Sequence, residues 1–187
     1  MRTPRAESDS PLPPSLTSTA EVCAVLVMGV CGAGKTTVGE LLARRLGWRF
    51  LDGDDLHPEA NVRKMASGRP LDDADRAPWL DRVKEALDVA IERRDPAVLT
   101  CSALKESYRQ RLGLPRPRAG LLHLTGPEEV LAERMAQRRG HFMPADLLRS
   151  QLDTLEPPEP PALVLDVRSS PAALASAAIR RFGLREE

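Results

Sequence analysis

Apolar residues in this chain come as short unbroken runs separated by stretches with helical spacing. The first run, Cys23 to Val30, is continuous rather than alternating, as expected of a strand covered on both faces. It is predicted to be the first and central strand of a sheet. From Lys35 the pattern changes: Val38, Leu41, Leu42 and Leu46 fall on one side of a helix that stops before Gly47. Further short strands are predicted at Trp48 to Leu51, Ala97 to Cys101, Leu121 to Thr125 and Ala162 to Val167. Between the second and third, Leu80, Val83, Leu87 and Ile91 recur at helical spacing from Pro78 to Arg94. The charges at Asp81, Arg82, Lys84, Glu85 and Asp88 fall on the other faces and read as a solvated surface.

Local signals mark helix starts after the strands. Thr125-Gly-Pro-Glu128 reads as a capping box with Pro127 in the first turn, and Ser170-Pro171 as a second start. Ser102 reads as an N-cap for a helix over Ala103 to Leu112. Strands alternating with helices predict right-handed crossovers and a parallel sheet, an α/β fold whose ligands gather at the carboxyl edge of the strands.

Composition changes the picture at the N-terminus, where Pro4, Pro11, Pro13 and Pro14 stand among Ser and Thr. Such a segment offers too little apolar burial to offset its ordering entropy, so residues 1–20 are expected to be a disordered tail and 21–187 a single domain. Across the 187 residues, Lys+Arg 27 cancels Asp+Glu 27. The basic footprint of a nucleic-acid binder is missing, and a small polar substrate fits better. No apolar run approaches the roughly 20 residues that span a bilayer, and the N-terminus lacks the apolar core of a signal peptide. Cys23, Cys31 and Cys101 form neither an even disulfide set nor a CxxC pair. A soluble cytoplasmic protein is expected.

The chemistry begins directly after the first strand. Gly29, Val30, Cys31, Gly32, Ala33, Gly34, Lys35 and Thr36 match G-x-x-x-x-G-K-[ST], between a predicted strand and a predicted helix. Glycines let successive N–H groups curl around phosphate oxygens, Lys35 adds a cation for the β and γ phosphates, and the Thr36 hydroxyl suits Mg²⁺. The motif points to ATP, with Thr37 continuing the site, and leaves the reaction open. Enzymes with this loop often carry a metal-orienting Asp at the end of a buried strand. Ala97 to Cys101 runs instead into Ser102, whereas the second strand runs into Asp52-Gly-Asp54-Asp55. Three carboxylates on one loop repel one another, which calls for a cation nearby. Asp52 is expected to hold a metal-bound water, and Asp54 to orient the acceptor hydroxyl and take its proton.

Longer motifs follow in order: Leu51-Asp-Gly-Asp-Asp-Leu-His57-Pro, Asn61 with Lys64-Met-Ala-Ser-Gly68, then Pro70-Leu71 leading to Asp75-Arg76-Ala-Pro78-Trp79-Leu80. Cys101-Ser-Ala-Leu-Lys105 with Tyr108-Arg109, Arg138-Arg-Gly-His141-Phe142, and Leu147-Leu-Arg-Ser-Gln151 up to Leu155-Glu156-Pro157 continue the series. From about Val25 to Val167 this resembles the gluconate kinases. The resemblance implies a P-loop kinase fold like that of nucleoside monophosphate and shikimate kinases, with a helical substrate-binding region and a mobile lid near 134–145. It also implies D-gluconate as substrate and a homodimer. Two departures stand out: Asp72-Asp-Ala74-Asp75 where the family often reads Asn-Asp-Asp-Asp, and Cys31 and Ala33 where Ser is frequent.

A gluconate pocket needs cations for one carboxylate and short polar groups for several hydroxyls. Lys64, Arg76, Lys105 and Arg109 are the candidate cations, with His57, Asn61 and Ser102 as hydroxyl partners. The alternative for each is a surface ion pair or a cap. Arg134 and Arg138 are four apart on one helix, and the resemblance implies that they grip the ATP phosphates and act with Lys35 and Asp54 in catalysis. The rivals are a kinase of another small hydroxylated metabolite, such as shikimate, and a non-catalytic ATP-binding module.

Overall fold

The computed structural model describes residues 21–137 and 145–187. Within them the apolar runs become β1 (Ala24–Met28), β2 (Arg49–Leu51), β3 (Ala97–Thr100), β4 (Ala119–Thr125) and β5 (Leu163–Asp166). The helices are α1 (Lys35–Leu46), α2 (Glu59–Ala66), α3 (Asp73–Glu92), α4 (Glu106–Arg111), α5 (Glu128–Ala136), α6 (Ala145–Thr154) and α7 (Pro171–Phe182). The strands pair in parallel in the order β2-β3-β1-β4-β5, which puts β1 at the centre.

Strand alternation sorts β1 between two cores. Val25 and Val27 pack with Val38 and Leu42 of α1 and Leu174 and Ala178 of α7. Ala24, Leu26 and Met28 pack with Leu80, Val83 and Leu87 of α3. Both faces are covered, which explains why the strand reads as unbroken apolar sequence. Fully buried Leu26, Leu42, Leu80, Leu87 and Leu122 each stabilise the fold by roughly 1.5–3 kcal/mol. Among the described residues no helix is long and apolar enough to cross a membrane.

Three local expectations are corrected. The helix expected from Pro78 begins at Asp73, because Asp72 and Asp75 form a reciprocal capping box, each carboxylate accepting from the other's backbone N–H at 2.9 Å. Pro78 lies inside that helix. Ser102 caps nothing: Ala103 adopts φ 45° and the helix starts at Glu106, with Lys105 at its N-cap. Thr125 also forms no cap, since α5 has Pro127 at its N-cap without a side-chain bond. Ser170 does cap α7, accepting from the Ala173 N–H at 3.3 Å. The expected tail over 1–20 and most of the expected lid, including Arg138, lie outside the described residues.

Candidate active site

β1, β2 and β3 end at one edge of the sheet, and each hands over a polar segment there. After β1, residues 29–36 curl into a loop that opens α1. Gly32 has φ 79°, and a Cβ on it would lie 2.6 Å from the Leu131 carbonyl oxygen, so only glycine fits. The Val30 carbonyl accepts from the Ala33 N–H at 3.3 Å and from Lys35 Nζ at 3.2 Å. Arg134 reaches the same loop: its Nη1 is 3.8 Å from where a Gly34 Cβ would stand, and its Nη2 donates to the Val167 carbonyl.

After β2, Asp52 is fixed from three sides. Its Oδ2 accepts from Thr36 Oγ1 at 3.0 Å, and its Oδ1 from Thr100 Oγ1 at 2.8 Å and from the Asp54 N–H at 3.1 Å. Thr100 in turn accepts from the Gly53 N–H at 3.1 Å. Gly53 passes so close to β3 that a Cβ would fall 2.0 Å from the Thr100 carbonyl oxygen. The neighbouring Asp54 is exposed, and its carboxylate accepts no hydrogen bond from the described residues. Two adjacent carboxylates thus differ sharply: one is held rigidly against the phosphate loop and the other is left available.

Trp79 of α3 orders what comes next. Its Nε1–H donates to the Gly53 carbonyl at 2.6 Å, and its indole stacks on His57 with centroids 4.3 Å apart and planes 13° from parallel. Buried Asn61 approaches His57 Nδ1 with its Nδ2 at 3.4 Å and donates to the Asp75 carbonyl at 2.8 Å. Burial holds the His57 imidazole below its ordinary pKa, against the nearby Asp54. The cations are engaged within the protein. Lys64 pairs with Asp75 and, at 3.4 Å, with Asp72. Lys105 donates to both oxygens of Asp73 at 2.9 and 2.8 Å, and Tyr108 donates its hydroxyl hydrogen to the same carboxylate. Those bonds hold the Asp73 carboxyl below its usual range and raise Lys105. Arg76 approaches Asp73 at 3.9 Å and lies 6.0 Å from the centre of the Tyr108 ring.

Arg109 differs from these cations in its burial. It is 2% exposed, and its guanidinium donates to the carbonyls of Ala103 and Leu104 and to Glu106. Four of its five N–H donors are used in this way, and they brace the turn before α4. Ser102 follows β3 at the same edge, partly buried. Thr100 and Trp79 carry the scaffold of the site and were not assigned from sequence. A threonine at the end of an otherwise apolar strand and a tryptophan among charged residues were the available signals; their partners lie on other elements.

Among the described residues no three His, Cys, Asp or Glu side chains converge into a metal cage. The Thr36 hydroxyl with the Asp52 carboxylate fits a different mode, in which Mg²⁺ takes one or two protein oxygens, nucleotide phosphates and water. This fold, with its phosphate loop after the central strand and its cations paired with the carboxylates that open α3, defines a P-loop kinase acting on a small molecule. A family model described as an AAA domain matches residues 25–158. The chain is 48% identical to the gluconokinase of Gluconobacter oxydans (strain 621H) over 84% of its own length and 90% of that protein. A sugar kinase from Janibacter sp. HTCC2649 superposes with a TM-score of 0.79 at 43% identity, covering 87% of this chain and 95% of that one. A gluconokinase from Sinorhizobium meliloti 1021 superposes with a TM-score of 0.77 at 43% identity, covering 87% and 93%. The chain belongs to the gluconokinase family.

Proposed function

We propose that this protein transfers the γ-phosphoryl group of ATP to D-gluconate, giving 6-phospho-D-gluconate and ADP. The observation that carries the mechanism is the contrast between Asp52, bound by Thr36 and Thr100, and Asp54, whose carboxylate accepts no such bond from the described residues. Asp54 accepts the proton of the gluconate 6-hydroxyl as that oxygen attacks the γ-phosphorus and the bond to ADP breaks. Lys35 and Arg134 stabilise the charge that develops on the transferred group, and the amides of the phosphate loop cradle the rest of the nucleotide. Thr36 and Asp52 would hold Mg²⁺, which supplies charge neutralisation on the phosphates when bound.

For the acceptor, Lys64, Arg76 and Lys105 supply the cations that a carboxylate requires, and His57 and Ser102 the hydrogen-bonding groups for the hydroxyls. Asn61 acts through His57, since its amide contacts the ring nitrogen and the Asp75 carbonyl. A homodimer and a cytoplasmic location complete the proposal; sedimentation and cell fractionation check them. The central test is ADP release measured with gluconate, with shikimate and with no acceptor. Turnover with gluconate alone is expected, and equal rates in all three would overturn the assignment.

A further inference from the structure

The phosphate loop is gripped by a side chain from a helix that the mechanism above does not use. Gln151 of α6 accepts from the Cys31 N–H through its Oε1 at 2.7 Å. That N–H shares a planar peptide unit with the Val30 carbonyl, so the two groups cannot turn independently. The same carbonyl receives Lys35 Nζ at 3.2 Å and closes the loop through the Ala33 N–H. Holding one end of the peptide therefore fixes the anchor of the lysine at the other.

The helix that carries Gln151 is itself well seated. Leu148 is 2% exposed in the same core as Leu131 and Met135 of α5. Arg149 pairs with Glu128 at 3.0 Å, and beyond the helix the Glu156 N–H donates to the Leu104 carbonyl at 2.9 Å. Gln151 thus reaches the loop from a braced platform. Its chemistry also fits. A carboxamide oxygen satisfies the buried amide without placing negative charge where a triphosphate is to arrive, whereas a carboxylate at the same position would repel the nucleotide.

We propose that Gln151 is a positioning residue for the nucleotide: by holding the Val30–Cys31 peptide, it sets the loop and Lys35 in the conformation that binds ATP. The inference rests on the phosphate-loop part of the function proposed above and not on the identity of the acceptor. It is therefore tested by nucleotide binding in the absence of any acceptor.

Titration calorimetry with a non-hydrolysable ATP analogue is expected to show about tenfold weaker binding for Gln151→Met, the effect of losing one well-made hydrogen bond. Gln151→Glu keeps an acceptor but adds charge, so its binding is expected to weaken and to recover partly as salt rises. In turnover, the KM for ATP rises in both variants while the KM for gluconate stays within about twofold of the parent. Wild-type affinity in a folded Gln151→Met protein overturns the proposal, as does an equal rise in both KM values. Amide exchange of the unmodified, nucleotide-free protein supplies a check that needs no variant: the Cys31 N–H is expected to be protected, and exchange at the rate of an open loop would refute the contact. A parent protein that binds the analogue yet ignores gluconate would sink the acceptor assignment and leave this inference standing.

Discussion

Asp52 takes the hydroxyl hydrogen of Thr36 at 3.0 Å, which fastens the end of β2 to the first turn of α1. The contact joins the loop that would face the acceptor to the loop that would hold the nucleotide. Asp54, two residues on, has no such tie among the described residues, and the two carboxylates are expected to fail differently.

Asp54→Asn preserves shape but removes the basic oxygen, so turnover is expected to fall by roughly 10²-fold or more with ATP affinity little changed. Asp52→Asn is expected to raise the Mg²⁺ concentration required as well as to lower the rate. Magnesium titrations of both variants, alongside nucleotide binding, decide the matter. A magnesium defect confined to Asp54→Asn would mean that the roles are exchanged.

Lys35→Ala is expected to fold normally and lose nearly all turnover, since the transferred group loses a dedicated cation. Circular dichroism and ADP release on one preparation check both halves. Near-parental turnover would count against the phosphate-loop assignment.

Trp79→Phe separates stacking from hydrogen bonding. The ring still covers His57, but the Gly53 carbonyl loses the indole N–H that now lies 2.6 Å away. The KM for gluconate is expected to rise about tenfold and that for ATP to stay near its parental value. A rise confined to ATP would place the indole's influence on the nucleotide side.

Acid should destabilise the fold through His123. This side chain on β4 is 3% exposed, neither ring nitrogen has a partner among the described residues, and burial depresses its pKa from 6.5 to about 4. Between those values the unfolded chain binds a proton that the folded one refuses. The stability is therefore fully present above about pH 6.5 and is lost as pH falls toward 4. At about 1.4 kcal/mol per pH unit, moving from pH 7.5 to 5 should cost about 2 kcal/mol through this group. Urea unfolding at the two pH values is expected to show a smaller loss for His123→Leu than for the parent. His57, also lowered by burial, acts in the same direction, so some acid loss should remain in the variant. Equal losses in both proteins would exclude His123 as the source.

What the sequence disclosed was what short-range pattern can encode. The phosphate loop carries its function in eight consecutive positions, and the alternation of apolar runs with helical spacing was enough for a parallel sheet with β1 at its centre. Errors came where a residue had two local meanings. Pro78 is a favoured first residue of a helix, yet the carboxylates of Asp72 and Asp75 cap α3 earlier and leave the proline inside. Arg109 reads as a candidate cation because a sugar acid requires one, and only the folded turn brings up the carbonyls to which it donates. No role for Thr100, Trp79 or Gln151 is legible in the sequence, although Trp79 and Gln151 stand in its motifs, because their partners lie 48, 26 and 120 positions away in the chain.

The pairing of Lys105 with Asp73 and of Lys64 with Asp75 has a consequence for selectivity. As proposed substrate cations, these lysines already have carboxylates from α3 as company. A sugar acid can exchange its own carboxylate for one of these, trading one ion pair for another. An uncharged sugar of the same length has nothing to exchange, and separating the lysines from their aspartates would leave charges stranded. Discrimination against neutral sugars would then arise from a contest between anions, with α3 itself as the resident competitor.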